Sequence, residues 1–297
     1  MRRLNKHEAA ARMRSGKTVW AAGAYDALSA KLIDEAGFDV VFTTGFGISA
    51  SHLGQPDVEI YTMSENLAVV RNIANAIRVP VVADIDTGYG NAVNVMRTVR
   101  EFEQAGAAAM VIEDQEVPKR CPLVANAVEI LPLDESCAKI KAAIEARRDP
   151  ETVIIARTDA LTEDQAITRA RAYVEAGADM IQPISRTFRS VASLRRLRKE
   201  CGVPLSLQIL GWLEKDLDPA EISEIAGLAV FPLVPLMTAT HAVLANLRAL
   251  AASHTTAALP SPTTTTDEFK KFIGFEEMEA LQARFLVREL PEQVFFE

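Results

Sequence analysis

The stretch Val79-Pro80-Val81-Val82-Ala83-Asp84-Ile85-Asp86-Thr87-Gly88-Tyr89-Gly90-Asn91 decides the fold prediction. It is an apolar run of strand length that ends in two carboxylates, and a glycine-rich turn follows. Residues two apart on a strand point to the same side, so Asp84 and Asp86 are predicted to converge at the C-terminal end of the strand. Paired carboxylates at that place suit a hard cation such as Mg²⁺, and a solvated aspartate-rich turn is the alternative interpretation.

The composition predicts a globular enzyme with ample material for a core. Of the 297 residues, 49% are hydrophobic and 24% are charged, which is typical of a soluble domain. The net charge of -8 argues against binding to the phosphate backbone of nucleic acids. No apolar run is long enough to cross a membrane, and the basic start of the chain lacks the apolar segment of a secretory signal. We therefore expect a cytoplasmic enzyme without nucleic-acid or membrane partners.

Outward from the first stretch, the chain alternates apolar strands with amphipathic helices. The predicted strands are Thr18–Gly23, Asp39–Gly45, Val79–Asp86, Ala108–Asp114, Val153–Asp159, Met180–Ile184, Pro204–Ile209 and Leu228–Leu233. An Ala-Gly pair closes four of the predicted helices, at residues 36–37, 105–106, 176–177 and 226–227. Continuous rather than alternating apolar strands indicate a parallel sheet that is covered on both faces. Eight such units predict an α/β fold, a (β/α)8 TIM barrel. An open doubly wound sheet is the alternative, although no G-x-G-x-x-G and no P-loop follows the first strand.

The C-terminal part of the chain departs from this alternation. We predict a catalytic barrel domain over residues 1–253, a Thr/Pro-rich linker over 254–267, and a C-terminal helix and tail over 268–297. The helix is predicted at Glu268–Phe285 and carries a broad apolar face. A helix with that much apolar surface beyond a finished barrel needs a docking surface. The linker is long enough to place that surface on a neighbouring subunit.

In a TIM barrel, the residues that follow the strands form the active site. The polar groups predicted at these positions are Thr44, Gly45, Asp84, Asp86, Glu113, Asp114, Arg157, Asp159, Ser185, Arg186 and Gln208. Their composition predicts a cation site beside an anion anchor. The planar guanidinium of Arg157 suits a substrate carboxylate or phosphonate, and a structural ion pair is the alternative. The amides around Thr44-Gly45-Phe46 are a second candidate cradle for an anion. No lysine lies in a predicted strand, which disfavours Schiff-base chemistry.

The loop after the fourth strand carries the other informative residues. Cys121 follows Lys119 and Arg120 directly. A thiol beside two cations is expected to ionise readily and to exchange protons with a carbanion. An inert cysteine is the alternative, but inert cysteines usually lie in apolar sequence, whereas this loop is polar.

Several motifs together resemble a known family. They are residues 25–31 (YDALSAK), 44–47 (TGFG), 53–57 (LGQPD), 84–91 (DIDTGYGN), 113–115 (EDQ), 118–121 (PKRC), 156–159 (ARTD) and the tail from Phe272 to Phe285. On these residues the chain resembles the isocitrate lyase/phosphoenolpyruvate mutase superfamily. Within it, the chain is similar to the short methylisocitrate lyase and carboxyphosphonoenolpyruvate mutase type. The resemblance covers nearly the whole chain.

The resemblance implies a barrel that uses Mg²⁺, with Mn²⁺ as an alternative, and acts on a small anionic substrate through the enolate of an α-keto acid. It also implies a homotetramer whose last helix is exchanged between subunits. The implied ligands of the metal and its waters are Asp57, Asp84, Asp86 and Glu113. The implied substrate-binding residues are Tyr25, Thr44, Gly45, Phe46 and Arg157, to which position in the barrel adds Ser185 and Arg186. Lys119, Cys121 and Arg157 are the implied catalytic residues, with the cysteine as the general acid of the lyases.

Four residues depart from the family patterns. Pro122 and Leu123 follow Cys121 where the lyases carry Gly-His, and Ile184 stands where they carry a glutamate. Gln115 stands where the mutases carry a lysine. We predict a carbon–carbon lyase whose substrate is not methylisocitrate. A phosphonate mutase or hydrolase is the alternative. An oxaloacetate decarboxylase, or a barrel that binds an α-keto acid without turnover, is the third.

Overall fold

The computed structural model describes residues 3–121 and 128–286. Eight parallel strands close into a barrel in sequence order, which confirms the predicted (β/α)8 fold. The strands are β1 (Val19–Ala24), β2 (Val40–Thr43), β3 (Val81–Asp84), β4 (Ala107–Glu113), β5 (Val153–Thr158), β6 (Met180–Pro183), β7 (Leu205–Gln208) and β8 (Ala226–Phe231). The predicted strand bounds differ from these by no more than two residues. The strands are buried along nearly their whole length, as their continuous apolar sequences indicate.

Helices connect the strands on the outside of the barrel. They are α1 (Lys6–Ser15), α2 (Ala27–Ala36), α3 (Gly45–Ile48), α4 (Met63–Ala76), α5 (Ala92–Gln104), α6 (Leu133–Ala146), α7 (Glu163–Glu175), α8 (Val191–Cys201), α9 (Trp212–Asp216), α10 (Pro219–Ile225), α11 (Val234–Ser253), α12 (Thr266–Ile273) and α13 (Phe275–Phe285). A π-helical turn, Ser49–Leu53, follows α3. Capping boxes begin many of the helices, because residues such as Asp26 and Thr62 accept the otherwise unpaired backbone N–H groups of the first turn.

The helix α1 was not predicted from the sequence. Its buried residues Ala9, Ala10 and Met13, together with Leu4, pack with the inward-facing side chains of the strands in one hydrophobic cluster. The helix has few apolar residues and therefore gives only a weak periodic signal. Its position leaves the opposite end of the barrel open for a site.

Gly227 does not close a helix, contrary to the prediction. It lies inside β8, which begins at Ala226 directly after α10. A Cβ atom on Gly227 would lie 2.2 Å from the carbonyl oxygen of Met13. The glycine is therefore explained by the close approach of α1 and not by a helix end.

The predicted C-terminal helix is two helices. Gly274 interrupts it with a φ of +95°, a left-handed conformation that glycine adopts without strain, so that α12 ends and α13 begins there. The contacts divide the chain into two compact units, Met1–Thr238 and Ala239–Glu297. The domain and linker bounds given from the sequence stay a prediction. Residues 287–297 of the predicted tail lie outside the described residues, as do Pro122 and Leu123. Among the described helices, none is long and apolar enough to span a membrane.

Candidate active site

A cavity of about 570 Å³ opens at the C-terminal ends of the barrel strands. Among its walls are eight of the predicted site residues: Thr44, Phe46, Asp57, Asp84, Cys121, Arg157, Ser185 and Arg186. The other five predicted residues, Tyr25, Gly45, Asp86, Glu113 and Lys119, are not among the described residues that line it. The last four of these are tied to the lining residues by the contacts described below.

Asp84 and Asp86 come together as predicted, but for a different reason. Asp84 is the last residue of β3, whereas Asp86 lies beyond the strand with a φ of +49°. Strand alternation therefore does not bring the two carboxylates together. Instead the chain turns back, and the Asp86 amide donates a hydrogen bond of 3.1 Å to Asp84 Oδ1. A Cβ on Gly45 would lie 3.2 Å from both carboxylates, so this glycine leaves room for the pair.

Two tyrosines that the sequence analysis did not assign hold Asp86 in place. The hydroxyls of Tyr61 and Tyr89 donate to Asp86 Oδ2 at 2.7 and 2.6 Å. The Asn66 side-chain amide donates in turn to the Tyr89 oxygen and to the Asp84 carbonyl. Asp86 is thus fully buried and held in one orientation. Tyr89 stands in the stretch that decided the fold, but no spacing rule connects it to Asp86.

Lys119 lies inside the acidic site. Its Nζ is 2.5 Å from Asp86, 3.1 Å from Asp57 and 3.7 Å from Glu113. Burial alone would lower the pKa of this lysine, but the surrounding carboxylates, Asp86 foremost, raise it well above the usual value. Lys119 is therefore a buried, charged ammonium at the centre of these carboxylates.

Arg157 forms ion pairs within the protein and also lines the cavity. Its guanidinium pairs with Glu113 at 2.6 Å and with Asp159 at 2.8 Å, which is the structural ion pair that was the alternative. The side chain also lines the cavity, and its Nε has no hydrogen-bond partner. The two carboxylates thus orient an arginine that still reaches the cavity.

The acidic cluster consists of Asp57, Asp84, Asp86, Glu113 and Asp159, and Lys119 and Arg157 are the cations that pair with it. Negative charge is in excess here. Burial, together with the neighbouring Asp86 carboxylate, raises the pKa of Asp84 to about 6. Burial likewise raises the pKa of Asp57, although the Lys119 ammonium opposes this. A further cation beside these carboxylates would lower the pKa of both.

The chemistry of the acidic cluster fits a divalent metal ion, although its geometry in this structure is that of a lysine site. Asp57 Oδ1 is buried without a hydrogen-bond partner, whereas Asp86 Oδ1 and Glu113 Oε2 face the cations of Lys119 and Arg157. Within residues 3–121 and 128–286, no group of three or more histidine, cysteine or acidic side chains is arranged to hold a metal ion. Lys119 takes the position between three of the carboxylates. Mg²⁺ needs one or two carboxylates together with water and substrate oxygens, so Asp84 facing the cavity is sufficient as a direct ligand.

The predicted anion cradle at residues 44–46 is partly used by the protein itself. The Gly45 amide donates to Asp84 Oδ2 at 3.4 Å, and Thr44 Oγ1 accepts from the Gly47 amide. Thr44 and Phe46 nevertheless line the cavity. Tyr25 lies behind this turn, because a Cβ on Gly47 would meet the Tyr25 side chain at 2.8 Å.

Cys121 is buried and lines the cavity. Lys119 and Arg120, which precede it in sequence, both form ion pairs with carboxylates. Lys119 points into the acidic cluster, and Arg120 pairs with Glu129 at 2.9 Å. The expectation that two cations act on the thiol therefore does not follow from these contacts. The thiol does lie at the cavity, as its place in the loop after the fourth strand predicted.

The far side of the cavity is formed by the loops after β6, β7 and β8. Ser185 and Arg186 lie there with the apolar side chains of Ile184, Leu210 and Leu233. Because the barrel is closed in sequence order, this side faces the acidic residues that follow β2 to β5. The cavity is thus charged on the side of the acidic residues, whereas the other side mixes apolar side chains with polar ones that include Gln182, Arg189 and Gln208.

Asp114 belongs to a different network, although it was predicted among the strand-end acids. Its carboxylate accepts hydrogen bonds from Tyr173 at 2.7 Å and from Arg169 at 3.1 Å, and it also accepts from the Asp159 amide. Arg169 and Tyr173 belong to α7, outside the barrel. Glu113 and Asp114 are consecutive, so they point to opposite faces of the sheet.

Comparison with known proteins places this geometry in a family. Residues 10–254 match the family model described as phosphoenolpyruvate phosphomutase. The chain is 41% identical over 274 residues to 2,3-dimethylmalate lyase of Eubacterium barkeri, covering 91% of this chain and 94% of the relative. It is 34% identical over 272 residues to the chloroplastic carboxyvinyl-carboxyphosphonate phosphorylmutase of Arabidopsis thaliana, covering 89% and 79%. The crystal structure of a phosphonopyruvate hydrolase in complex with oxalate and Mg²⁺ is similar, with a TM-score of 0.85, 34% identity and coverage of 95% and 100%.

Proposed function

We propose that this chain, which belongs to the phosphoenolpyruvate mutase/isocitrate lyase superfamily, is a Mg²⁺-dependent carbon–carbon lyase. It would cleave a 2-hydroxy dicarboxylate into an α-keto acid and a monocarboxylic acid. The observation that carries the proposal is the buried Cys121 thiol at the wall of a cavity that Asp84 and Arg157 also line. A lyase needs an acid at that place because bond cleavage leaves a carbanion that must be protonated.

The substrate class follows from the two sides of the cavity and from the 2,3-dimethylmalate lyase of Eubacterium barkeri. We infer a malate that bears an alkyl group on C3. Its C1 carboxylate and C2 hydroxyl would lie at the charged side near Asp84 and Arg157. The alkyl group would pack on Ile184, Leu210 and Leu233, where burial of each CH₂ contributes about 0.8 kcal/mol. Arg186 is the candidate for the second carboxylate.

The reaction balances without a further reactant. The C2 hydroxyl proton passes to the Asp57 carboxylate at the cavity, and the C2–C3 bond breaks as C2 becomes a ketone carbon. The electron pair left on C3 takes the thiol proton of Cys121, and the hydroxyl proton restores the thiol. With a methyl group on C2, the products are pyruvate and a monocarboxylate.

The protein's own groups prepare this step. Arg157 is held by Glu113 and Asp159, so its orientation toward a substrate carboxylate is set before binding. The tyrosine hydroxyls fix Asp86, and Lys119 fixes Asp57. Asp84, Asp86, Asp57 and Glu113 would hold Mg²⁺ and its waters. The metal would supply Lewis-acid stabilisation of the oxygen charge that develops during cleavage.

Phosphonate chemistry is the second candidate. It is supported by the structural similarity to phosphonopyruvate hydrolase and by the side chains of Ser185 and Arg186 at the cavity wall. A phosphonomutase returns the electron pair of the enolate to the migrating phosphoryl group and needs no carbon acid, whereas a phosphonate hydrolase leaves an enolpyruvate that takes a proton on carbon. Loss of the Cys121 thiol would therefore leave a phosphonomutase activity largely intact.

The test is a panel of substrates for the purified full chain with Mg²⁺. The panel contains 2,3-dimethylmalate, methylisocitrate, oxaloacetate and phosphonopyruvate, and every product is quantified by NMR. We expect cleavage of the alkylated malate, with a chelator abolishing turnover. Release of phosphate from phosphonopyruvate as the only reaction would contradict the lyase proposal, and full activity in excess chelator would contradict the metal dependence.

A further inference from the structure

We propose that Glu59 is a positioning residue that fixes the backbone of the loop bearing Lys119 and Cys121. Glu59 lies between the π-helical turn and α4, two residues after Asp57. Neither the motifs nor the spacing of acidic residues singled it out. Its carboxylate does not line the cavity, so its effect on the site is exerted through other residues.

Both oxygens of Glu59 are engaged by groups from other loops. Thr87 Oγ1 donates to Glu59 Oε1 at 2.5 Å, and the Lys119 amide donates to Glu59 Oε2 at 2.9 Å. Thr87 follows Asp86 in the loop after β3, and Lys119 lies in the loop after β4. One side chain therefore joins the loops that follow β2, β3 and β4, and these loops carry Asp57, Asp86 and Lys119 of the site.

The backbone of Glu59 indicates that the carboxylate is needed at this place. Its φ is +57°, in the left-handed region that residues with a Cβ rarely adopt. A glycine would take this conformation without strain and would be the expected residue in a turn with no other role. An observed outlier of this kind, near a candidate site, supports a functional role for the side chain that occupies it.

The bond to Lys119 bears directly on the two candidate catalytic groups of the loop. It holds the Lys119 backbone while the ammonium of the same residue contacts Asp57 and Asp86. Cys121 follows two residues later, at the cavity wall. The loop also has an internal hydrogen bond, because the Arg120 amide donates to the Gln115 side chain. Glu59 adds a hydrogen bond from a different loop and so fixes the backbone of Lys119 relative to the acidic cluster.

Limited proteolysis tests the positioning directly. Arg120 is exposed, so trypsin can report on the Arg120–Cys121 bond when the segment loosens. The full chain is compared with Glu59→Gly, which removes the carboxylate and relieves the left-handed backbone, and with Glu59→Gln, which keeps an acceptor oxygen. Glu116→Gln is the matched control, because that glutamate is exposed in the same loop. Cleavage at this one bond is followed by mass spectrometry.

We expect Glu59→Gly to speed cleavage at Arg120–Cys121 at least fivefold, with a melting temperature equal to or above that of the unchanged chain. The cleavage rate of Glu59→Gln should lie between those of Glu59→Gly and the unchanged chain. The cleavage rate of Glu116→Gln should equal that of the unchanged chain. An unchanged cleavage rate in Glu59→Gly would overturn the proposal. A melting temperature that falls together with general proteolysis would also overturn it, because that result indicates a merely structural role.

A kinetic measurement extends the test and rests on the proposed function. Glu59→Gly should lower kcat about tenfold or more while KM changes less than threefold, because the groups that bind substrate remain in place. A rise of KM at constant kcat would contradict the positioning role. The proteolysis experiment needs no substrate. Failure of the lyase proposal can therefore be distinguished from failure of the Glu59 proposal.

Discussion

At the scale of single residues, Asp86 is the centre of the site. One carboxylate oxygen accepts from two tyrosine hydroxyls, and the other pairs with Lys119. The residue is fully buried and has a left-handed backbone. Such a combination costs stability and persists only where many contacts determine it. The negative charge of Asp86 is therefore expected to be more important for the site than the shape of its side chain.

Replacement of Asp86 by asparagine should abolish Mg²⁺ binding with little change of fold. The amide keeps the size of the carboxylate but removes the negative charge that a hard cation requires. Isothermal titration with Mg²⁺ alone measures the effect, and we expect at least a hundredfold loss of affinity. Asp164→Asn, at an exposed position, is the control. Unchanged Mg²⁺ affinity in the Asp86 variant would contradict its role as a metal ligand.

The sequence predicted part of this site for reasons that can be stated. Asp84, Arg157 and Glu113 lie in the last two residues of their strands, and the closed barrel brings such residues together. The roles of Tyr61 and Glu59 could not be predicted, because their partners lie 25 and more residues away in sequence. The position of Lys119 depends on the path of a loop, which no periodic pattern describes.

At the scale of secondary-structure elements, Asp34 at the end of α2 connects three segments. It accepts from the Arg3 side chain at 2.7 Å and from the Arg78 amide at 3.1 Å. Burial raises its pKa, but these donors outweigh burial, so the pKa of Asp34 is lowered. A carboxylate of this kind stabilises the fold in its ionised form.

Asp34→Asn should therefore lower stability at neutral pH but not in acid. A lowered pKa contributes stability above the unfolded value of about 4, and that contribution is lost as pH falls through the folded value. Urea unfolding should show a loss of about 1 kcal/mol at pH 7, from the charge-assisted hydrogen bonds. The difference should shrink below pH 4. A difference in the free energy of unfolding that grows as the pH falls would contradict a stabilising role of the ionised Asp34 carboxylate.

Gly227→Ala tests the contact between β8 and α1. The added methyl would overlap the Met13 carbonyl, and overpacking of this kind costs about 1–3 kcal/mol. Gly202→Ala is the matched control, since Gly202 has a φ of +72° but nothing within 4 Å of an added Cβ. Thermal unfolding should show the larger loss for Gly227→Ala. Equal losses would mean that the close approach contributes nothing beyond backbone strain.

The elements were predictable wherever one hydrophobic pattern marked the whole element. The eight strands are examples, because each contains a mostly apolar run of strand length. The break at Gly274 was missed, because Phe272 and Met278 continue an apolar pattern across the glycine. The helix α1 was missed because alanine provides most of its buried surface, and alanine carries little periodic signal.

At the scale of the whole molecule, the helices α11, α12 and α13 bear on assembly. None of their described residues is buried. Exposed apolar side chains occur in each of them: Val243, Leu247, Phe269, Ile273, Phe275, Met278, Leu281 and Phe285. Apolar surface of this extent is typical of an interface with another subunit.

We predict a homotetramer in which these helices pack against neighbouring copies. Light scattering of the full chain should give a mass about four times the 32.4 kDa of one chain. A chain truncated after Ser253 should lose this assembly and aggregate, because the surface that the helices cover becomes exposed. A well-behaved monomer of the full chain would contradict the prediction.

The central claim is that a carbanion forms by carbon–carbon cleavage and is protonated by Cys121. The most direct measurement is turnover of 2,3-dimethylmalate in D₂O with Mg²⁺, followed by NMR of both products. The account predicts equal amounts of pyruvate and propionate, one deuterium on C2 of propionate, and a loss of kcat of about 10²-fold or more in Cys121→Ser. Cleavage at an undiminished rate in Cys121→Ser would contradict it, and so would phosphonopyruvate turnover with no cleavage of any hydroxy dicarboxylate.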